Sequence, residues 1–355
     1  MNIISKFAVL KNAMNKRYLL YFWSGSVLII FLILFFLYRQ LFGINVLKGD
    51  KTTVYIPTGS SYSQVIDTLK SNISVRSWKV LNWIAEKKRY PNHVKPGKYF
   101  INKDLSCIDL INMLRSGKQS PVNVIFNNIR TIYQLAGKTG GQIEADSAQI
   151  ADFLSDPSNF RRDGFTNQNV ISVFIPNTYQ FMWNTDPAGL YTRMLKEYRK
   201  FWNNERLSKA KEQNLTPIEV SILASIIDDE VAKAEEKPRI AGVYLNRLKR
   251  GIPLQACPTI KFALNDFTIT RVLNKHLQVD SPYNTYKHRG FPPGPIGCPT
   301  IEGIDAVLNA EEHDYLYFAA KADFSGYHNF SRTLAEHNRY AAEYQRELDK
   351  LRIFK

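Results

Sequence analysis

Three adjacent acids, Asp228, Asp229 and Glu230, close the run Thr-Pro-Ile-Glu-Val-Ser-Ile-Leu-Ala-Ser-Ile-Ile-Asp-Asp-Glu at residues 216–230. Thr216 as N-cap, Pro217 at the first helical position and Glu219 three residues past the cap are a capping-box start, so a helix is expected from here. Steps of about 100° from that origin place Val220, Ile222, Leu223, Ile226 and Ile227 on one apolar face, with Glu230 near the middle of the stripe. Asp228 and Asp229 fall on the side of Ser221 and Ser225 and read as solvated residues whose exchange for Asn costs little activity. A carboxyl group held in an apolar cleft is poorly solvated as an anion, keeps its proton nearer neutral pH, and can act as a general acid. The alternative is an ion pair between Glu230 and Arg239, Arg247 or Lys249, all close by in sequence.

The 355 residues, 45% hydrophobic and 22% charged, suffice for a sizeable core divided among two or three units. Tyr18 to Tyr38 carries no charge, is rich in Leu, Ile, Val and Phe, and is about the 20 residues a bilayer-spanning helix needs. Aromatic residues cluster at both ends of it, as at membrane interfaces. Lys6, Lys11, Lys16 and Arg17 precede it with no acid, which places the N-terminus in the cytoplasm and the rest outside. The segment is long for a signal peptide, and Arg39-Gln40-Leu41-Phe42 has no small-residue cleavage site, so an uncleaved single-pass anchor is expected. The net charge of +15 is otherwise spread without a long basic run. It implies a solvated basic surface, and with the body outside the cytoplasm no nucleic-acid partner is expected.

After a linker at 39–51, Thr52–Ile56 reads as a strand, Ser61–Leu69 and Arg76–Lys87 as helices, Tyr99–Ile101 as a strand and Cys107–Leu114 as a short helix. This is a LysM-like βααβ subdomain over 52–120. Strand Val122–Phe126 and the helix start at Ile132 repeat the opening strand-turn-helix pattern, with Gln64 and Gln134 identical. A helix from Pro187 to Asn203 leads to the Glu-bearing helix. Beyond Glu230, Lys237-Pro238 ends that helix and starts another, carrying Ile240, Val243, Tyr244, Leu245 and Leu248 and closing at Gly251. The loops at 253–259, 281–286 and 290–296, rich in Pro, Gly, Asn and Tyr, suit a cleft that recognises sugars by amide hydrogen bonds and aromatic stacking. Strands at Tyr315–Ala319 and His328–Phe330 and a helix after Thr333 complete the chain. The fold class is therefore α+β: one transmembrane helix, the LysM-like unit, and a mixed α/β catalytic domain over 121–355, with a connecting part at 121–186 and a core at 187–355.

Other chemistries lack their residues. Gly137-Lys138-Thr139 has Ile132 where a phosphate loop needs Gly; no Gly-x-Ser-x-Gly occurs; the six His and three Cys show no zinc-ligand spacing. No metal and no cofactor is called for.

The runs Leu223–Glu230, Tyr244-Leu245-Asn246-Arg247-Leu248, Leu254-Gln255 with Pro258-Thr259, Ser281–Tyr286, Pro292–Ile296 and Leu334–Asn338 resemble the YceG-like endolytic murein transglycosylase family. The resemblance extends over nearly the whole chain, including the anchor and the Pro176-x-Thr178-Tyr179 run. It implies a membrane-anchored lytic transglycosylase that cuts nascent peptidoglycan strands between N-acetylmuramic acid and N-acetylglucosamine, with peptidoglycan synthases as possible partners and strand termination as a possible role. The family's catalytic Glu maps to Glu230, and Asn246, Gln255, Tyr283, Asn284 and Tyr286 are the substrate-positioning candidates. One acid suffices in such a reaction: the Glu protonates the leaving oxygen and then takes the proton of the muramyl 6-hydroxyl, which closes a 1,6-anhydro ring. A hydrolase needs a second carboxylate, for which Asp280 is the candidate. A non-catalytic wall-binding scaffold needs neither. Cys257 and Cys298 stand where relatives commonly have Asp and Asn. Each precedes Pro-Thr in loops the resemblance places near one cleft, so proximity and a disulfide are open expectations, with Cys107 a buried free thiol.

The anchor reading is checked by mass analysis of the membrane-bound protein, which should retain residues 18–38; a mature N-terminus beyond Tyr38 contradicts it.

Overall fold

The computed structural model describes residues 3–43, 46 and 51–350. Helix α1 (Ile3–Phe42) runs through both the basic segment and the apolar one, longer at each end than the 18–38 expected. Nothing in this stretch breaks it: Ser24 and Ser26 turn their hydroxyls back onto the carbonyls of Tyr21 and Phe22. Tyr21–Arg39 is its membrane-length apolar window, and the large apolar side chains there are exposed from every side, as in a helix whose solvent is lipid. Of the linker expected at 39–51, residues 39–42 belong to α1, and 44, 45 and 47–50 lie outside the described residues.

The chain divides into two compact units, one reaching Val122 and including Met182–Asn184, the other made of Asn123–Phe181 and everything from Thr185. In the first, β1 (Lys51–Ile56), α2 (Tyr62–Asn72), α3 (Trp78–Lys87), β2 (Gly97–Asn102) and α4 (Cys107–Ser116) follow in β–α–α–β–α order. The strands pair antiparallel, Thr52 opposite Ile101 and Val54 opposite Tyr99. Alternation drives the packing: Val54, Ile56, Tyr99 and Ile101 are buried while Tyr55 and Phe100 are exposed, and the buried set packs with Leu69, Leu81, Ile84, Leu110 and Leu114 of the helices.

In the second unit β3 (Val122–Phe126) and β4 (Asn177–Phe181) form a two-stranded sheet, with α5 (Ile132–Gly140) and α6 (Ser147–Ser155) between them. The strand-turn-helix start does recur: Gln64 caps the Ser61 N–H at 2.8 Å, whereas Gln134 reaches one residue further, to the Arg130 N–H at 2.9 Å. Then come α7 (Pro187–Phe201), α8 (Asn204–Glu212), α9 (Pro217–Glu230), α10 (Lys237–Lys249), α11 (Cys257–Ala263), α12 (Ile301–Leu308), the hairpin β5 (Tyr317–Ala320) and β6 (His328–Ser331), and α13 (Leu334–Lys350). α6, α8, α11 and α12 are additional to the elements read from the sequence. Pro258, taken as a loop residue, sits in the first turn of α11, where its missing N–H is no loss.

The centre of this unit is α9, with its capping box formed as expected: the Thr216 hydroxyl accepts from Glu219 N–H and Glu219 accepts from Thr216 N–H. It packs against α8, α10, α11 and α12, and every residue from Val220 to Ile227 is buried, including Ser221 and Ser225. The one-sided apolar stripe is therefore only part of a helix enclosed all round. Each large apolar side chain so enclosed contributes about 1.5–3 kcal/mol. The serines are satisfied locally, Ser225 donating to Ile222 O at 2.7 Å and accepting from Ile296 N–H at 3.0 Å, which ties the Pro-rich loop to the helix.

Enclosure also corrects the reading of Asp228 as solvated. Its carboxylate accepts from Lys237 Nζ (2.7 Å), Thr300 N–H (2.7 Å) and Thr300 Oγ1 (2.8 Å), joining α9 to the starts of α10 and α12. Lys237 is itself buried, and α12 comes so close that a Cβ on Gly303 would stand 2.5 Å from Asp228 Oδ1. Asp229 pairs with Arg130. Breaking a buried ion pair from one side strands the other charge, typically at about 3–5 kcal/mol. Asp228→Asn should therefore lower stability by several kcal/mol in urea unfolding of the full chain, in contrast to Asp229→Asn; equal stability of the two variants contradicts the clamp.

Candidate active site

Glu230 is the last residue of α9, because Val231 turns extended (φ −138°, ψ 130°). The turn and the short stretch before Lys237 let α10 pack back on α9, which brings Tyr244 alongside. Tyr244, 1% exposed, donates its hydroxyl to Glu230 Oε1 at 3.1 Å and rests edge-on against Phe318, 5.8 Å between ring centres. Glu230 lines a cavity of about 380 Å³, together with Arg247 of α10, Gln255, Cys257, Tyr286, residues 317–320 and His328 of the hairpin, and Leu334 and His337 of α13. That volume lies in the range of small-ligand sites, about 300–1,000 Å³. Glu230 is the one carboxylate in that lining among the described residues.

The protein around the Glu230 carboxyl desolvates its anion and lifts its pKa to about 7, aided by the Asp229 charge and opposed by the Tyr244 hydrogen bond, Lys261 and the Cys257 N–H. None of the three basic residues near it in sequence forms an ion pair with it among the described residues, and Lys249 lines a different cavity. Arg239 pairs with Glu311 (2.9 Å), and Arg247 donates to Leu254 O (2.7 Å) and Gln255 Oε1 (2.9 Å). Burial beside Glu230 holds the Tyr244 phenol well above its ordinary value, so it is a donor throughout the working range. His328 is oriented by the buried Glu236, which accepts from its Nδ1 at 2.8 Å and its N–H at 3.0 Å.

The five residues expected to position substrate do not assemble into one set. Gln255 and Tyr286 line the cavity. Thr285 locks their two loops together, its O accepting Gln255 N–H and its Oγ1 accepting Ala256 N–H, each at 3.0 Å. Asn284 is fully buried, its Nδ2 donating to Leu277 O and Val279 O and its Oδ1 accepting Tyr286 N–H at 3.1 Å, so it shapes the loop that presents Tyr286. Tyr283 packs on Phe262, 4.7 Å between ring centres. Asn246 lines a different cavity, donating to His313 O (2.6 Å) and Tyr315 O (3.1 Å).

Helical spacing explains the difference on α10. Tyr244 and Arg247, three apart, share the face toward Glu230, and Asn246 lies off it. Leu334 and His337 on α13 repeat that spacing. Neither Arg247 nor His337 is among the five substrate-positioning candidates, because helical spacing alone does not show which face meets Glu230.

The three cysteines are free. Cys107 is buried, as expected. Cys257 contacts Tyr286 Oη at 3.2 Å in the Glu230 cavity, whereas Cys298 belongs to a second cavity beside Asp228 and Ile129, with its N–H on Ile129 O. The disulfide left open between them does not form: Cys257 begins α11, whereas Cys298 follows the Pro-rich loop tied to Ser225. Asp280, the alternative second acid, is exposed and is not part of the Glu230 lining. No group of three His, Cys, Asp or Glu among the described residues is placed to hold a metal ion.

Comparison with known proteins adds family to geometry. A protein named "Endolytic murein transglycosylase" from Bacillus subtilis is 30% identical over 328 residues, covering 87% of this chain and 89% of that protein. One of the same name from Streptococcus pneumoniae is 29% identical, over 82% of this chain but only 58% of its own longer length. A crystal structure of a YceG-like protein from Listeria monocytogenes superposes with a TM-score of 0.54 at 27% identity, covering 82% of this chain and 98% of that one. The YceG-like family profile matches residues 54–343, across both units. On that breadth of agreement, the chain belongs to the YceG-like family.

Proposed function

We propose that the Glu230 cavity cuts peptidoglycan glycan strands within the chain, between N-acetylmuramic acid and N-acetylglucosamine, leaving 1,6-anhydro-muramyl ends. At family level the activity is that of an endolytic murein transglycosylase, a lytic transglycosylase and hence a lyase. The observation that carries the residue-level reading is a single carboxyl group, raised to about 7 and bonded to Tyr244, as the only acid lining its cavity. In the acid form Glu230 gives its proton to the glycosidic oxygen as the bond to C1 breaks. As a carboxylate it then takes the proton of the muramyl 6-hydroxyl, whose oxygen bonds to C1. The proton count closes on one residue, with no water consumed.

Gln255 and Tyr286 are the proposed glycan contacts, with Asn284 supporting Tyr286 and Asn246 supporting the loop at His313–Tyr315. Tyr283, off the cavity, is assigned no more than a rim position. The βααβ stretch at 52–120 is proposed as a LysM-like element that holds glycan, 121–186 as a connecting part, and 187–355 as the catalytic core. The N-terminal helix fits a single-pass anchor with its basic end in the cytoplasm and the catalytic part outside the cytoplasmic membrane. An anchored enzyme of this kind would meet strands as they are made, beside the synthases, and could terminate their growth.

Glu230→Gln should fold and bind glycan yet yield almost no anhydro-muramyl product by mass spectrometry, with a loss of at least the roughly 10²–10⁴-fold usual for one proton transfer. Ordinary reducing ends from the wild type would instead indicate a hydrolase. Because the acid form of Glu230 starts the reaction, kcat/KM should fall as pH rises through about 7. Tyr244→Phe removes a bond that stabilises the anion, so its alkaline limb should move to higher pH while kcat drops. An unmoved limb contradicts the assignment of that limb to Glu230.

A further inference from the structure

Arg247 is a buried cation without a carboxylate. It is 6% exposed; Nη1 and Nη2 donate to two neutral acceptors, the Leu254 carbonyl and the Gln255 side chain, and Nε has no partner among the described residues. The guanidinium carbon lies 5.1 Å from the centre of the Tyr317 ring, on which His337 also stacks at 5.4 Å and 29°. The Nδ1 of His337 is buried and likewise unpartnered. Arg247, Tyr317, His337 and Gln255 all line the Glu230 cavity. Gln255, which fixes the guanidinium, is held at φ +52°, a left-handed conformation that a residue with a side chain adopts at some cost.

Enclosed charges are normally paired, and neutral acceptors compensate a guanidinium only in part. Glu230 cannot be the permanent counter-ion, since it must be protonated to start the reaction. Sugar hydroxyls are neutral and leave the imbalance in place. A carboxylate removes it, and its two oxygens suit the planar fork of an arginine.

We infer that Arg247, backed by Tyr317 and flanked by His337, anchors a carboxylate of the substrate, borne by the lactyl branch of the muramyl sugar or by the peptide attached to it. This rests on the reading of the cavity as a peptidoglycan-cutting site. It makes the acidic branch, as well as the sugar rings, a determinant of which strands are cut.

The test uses the full chain in detergent with Glu230→Gln, so that glycan is bound and not consumed. Three glycans are compared: one with peptides intact, one stripped of peptides and so bearing the free lactyl carboxylate, and one stripped and converted to the neutral lactyl methylamide. One carboxylate-bearing glycan should bind at least about tenfold more tightly than the methylamide. Whichever of the two it is identifies the source. Adding Arg247→Gln or His337→Gln should reduce that preference to about twofold or less; His337, being less enclosed, keeps the test open if the arginine variant unfolds. Equal binding of all three glycans, or a preference that survives both substitutions, overturns the anchor. Anhydro ends made by the wild type are scored separately, so a failed cleavage reading is distinguishable from a failed carboxylate site.

Discussion

The constraint on which the second unit depends is that α9 is enclosed on all sides yet ends in a carboxyl group that faces a cavity. Eight consecutive residues of it see no solvent, so every polar group on it has to be answered from a neighbouring element. Asp228 is answered by Lys237 and Thr300, Ser225 by Ile296. These bonds fix where the helix stops. Glu230, one turn beyond the last buried residues, meets a hydroxyl in place of a cation, and burial of its carboxyl lifts its pKa to about 7.

The two neighbouring carboxylates show how environment divides one residue type into two tasks. Asp228 is surrounded by donors and serves as a strut. Glu230 faces a cavity lined largely by aromatic rings and a thiol, and burial favours its protonated form. A short acidic triplet thus supplies a structural ion pair, a surface pair with Arg130 and a carboxyl group that faces a cavity, at successive positions whose directions differ by about 100°.

Much of this was legible because it is local. Thr216, Pro217 and Glu219 announce the start of α9 through their own backbone bonds, and the alternation in 52–56 and 99–101 fixes which face of the first hairpin is buried. Asp228 was misread because residue type and helical phase cannot tell a paired buried acid from a solvated one; the partner Thr300 lies 72 residues away. The far wall of the cavity comes from residues 317–337, about a hundred positions beyond Glu230, and no short-range pattern joins them. The loops rich in amides and aromatics do supply Gln255 and Tyr286 to the cavity lining. Asn284 and Asn246 carry the same functional group, but their hydrogen bonds are spent on backbone.

Leaving Glu230 without a cation also bears on how robust the protein is across pH. Its carboxyl has an ordinary value of 4.5 and a folded value of about 7, so the folded state holds the proton more tightly than the unfolded chain does. Its contribution to stability is fully present below about pH 4.5 and is lost as pH rises through about 7. In the alkaline range the Glu230 carboxylate therefore works against the fold that houses it, and the Asp228 clamp at the same helix end is one of the interactions that offsets this.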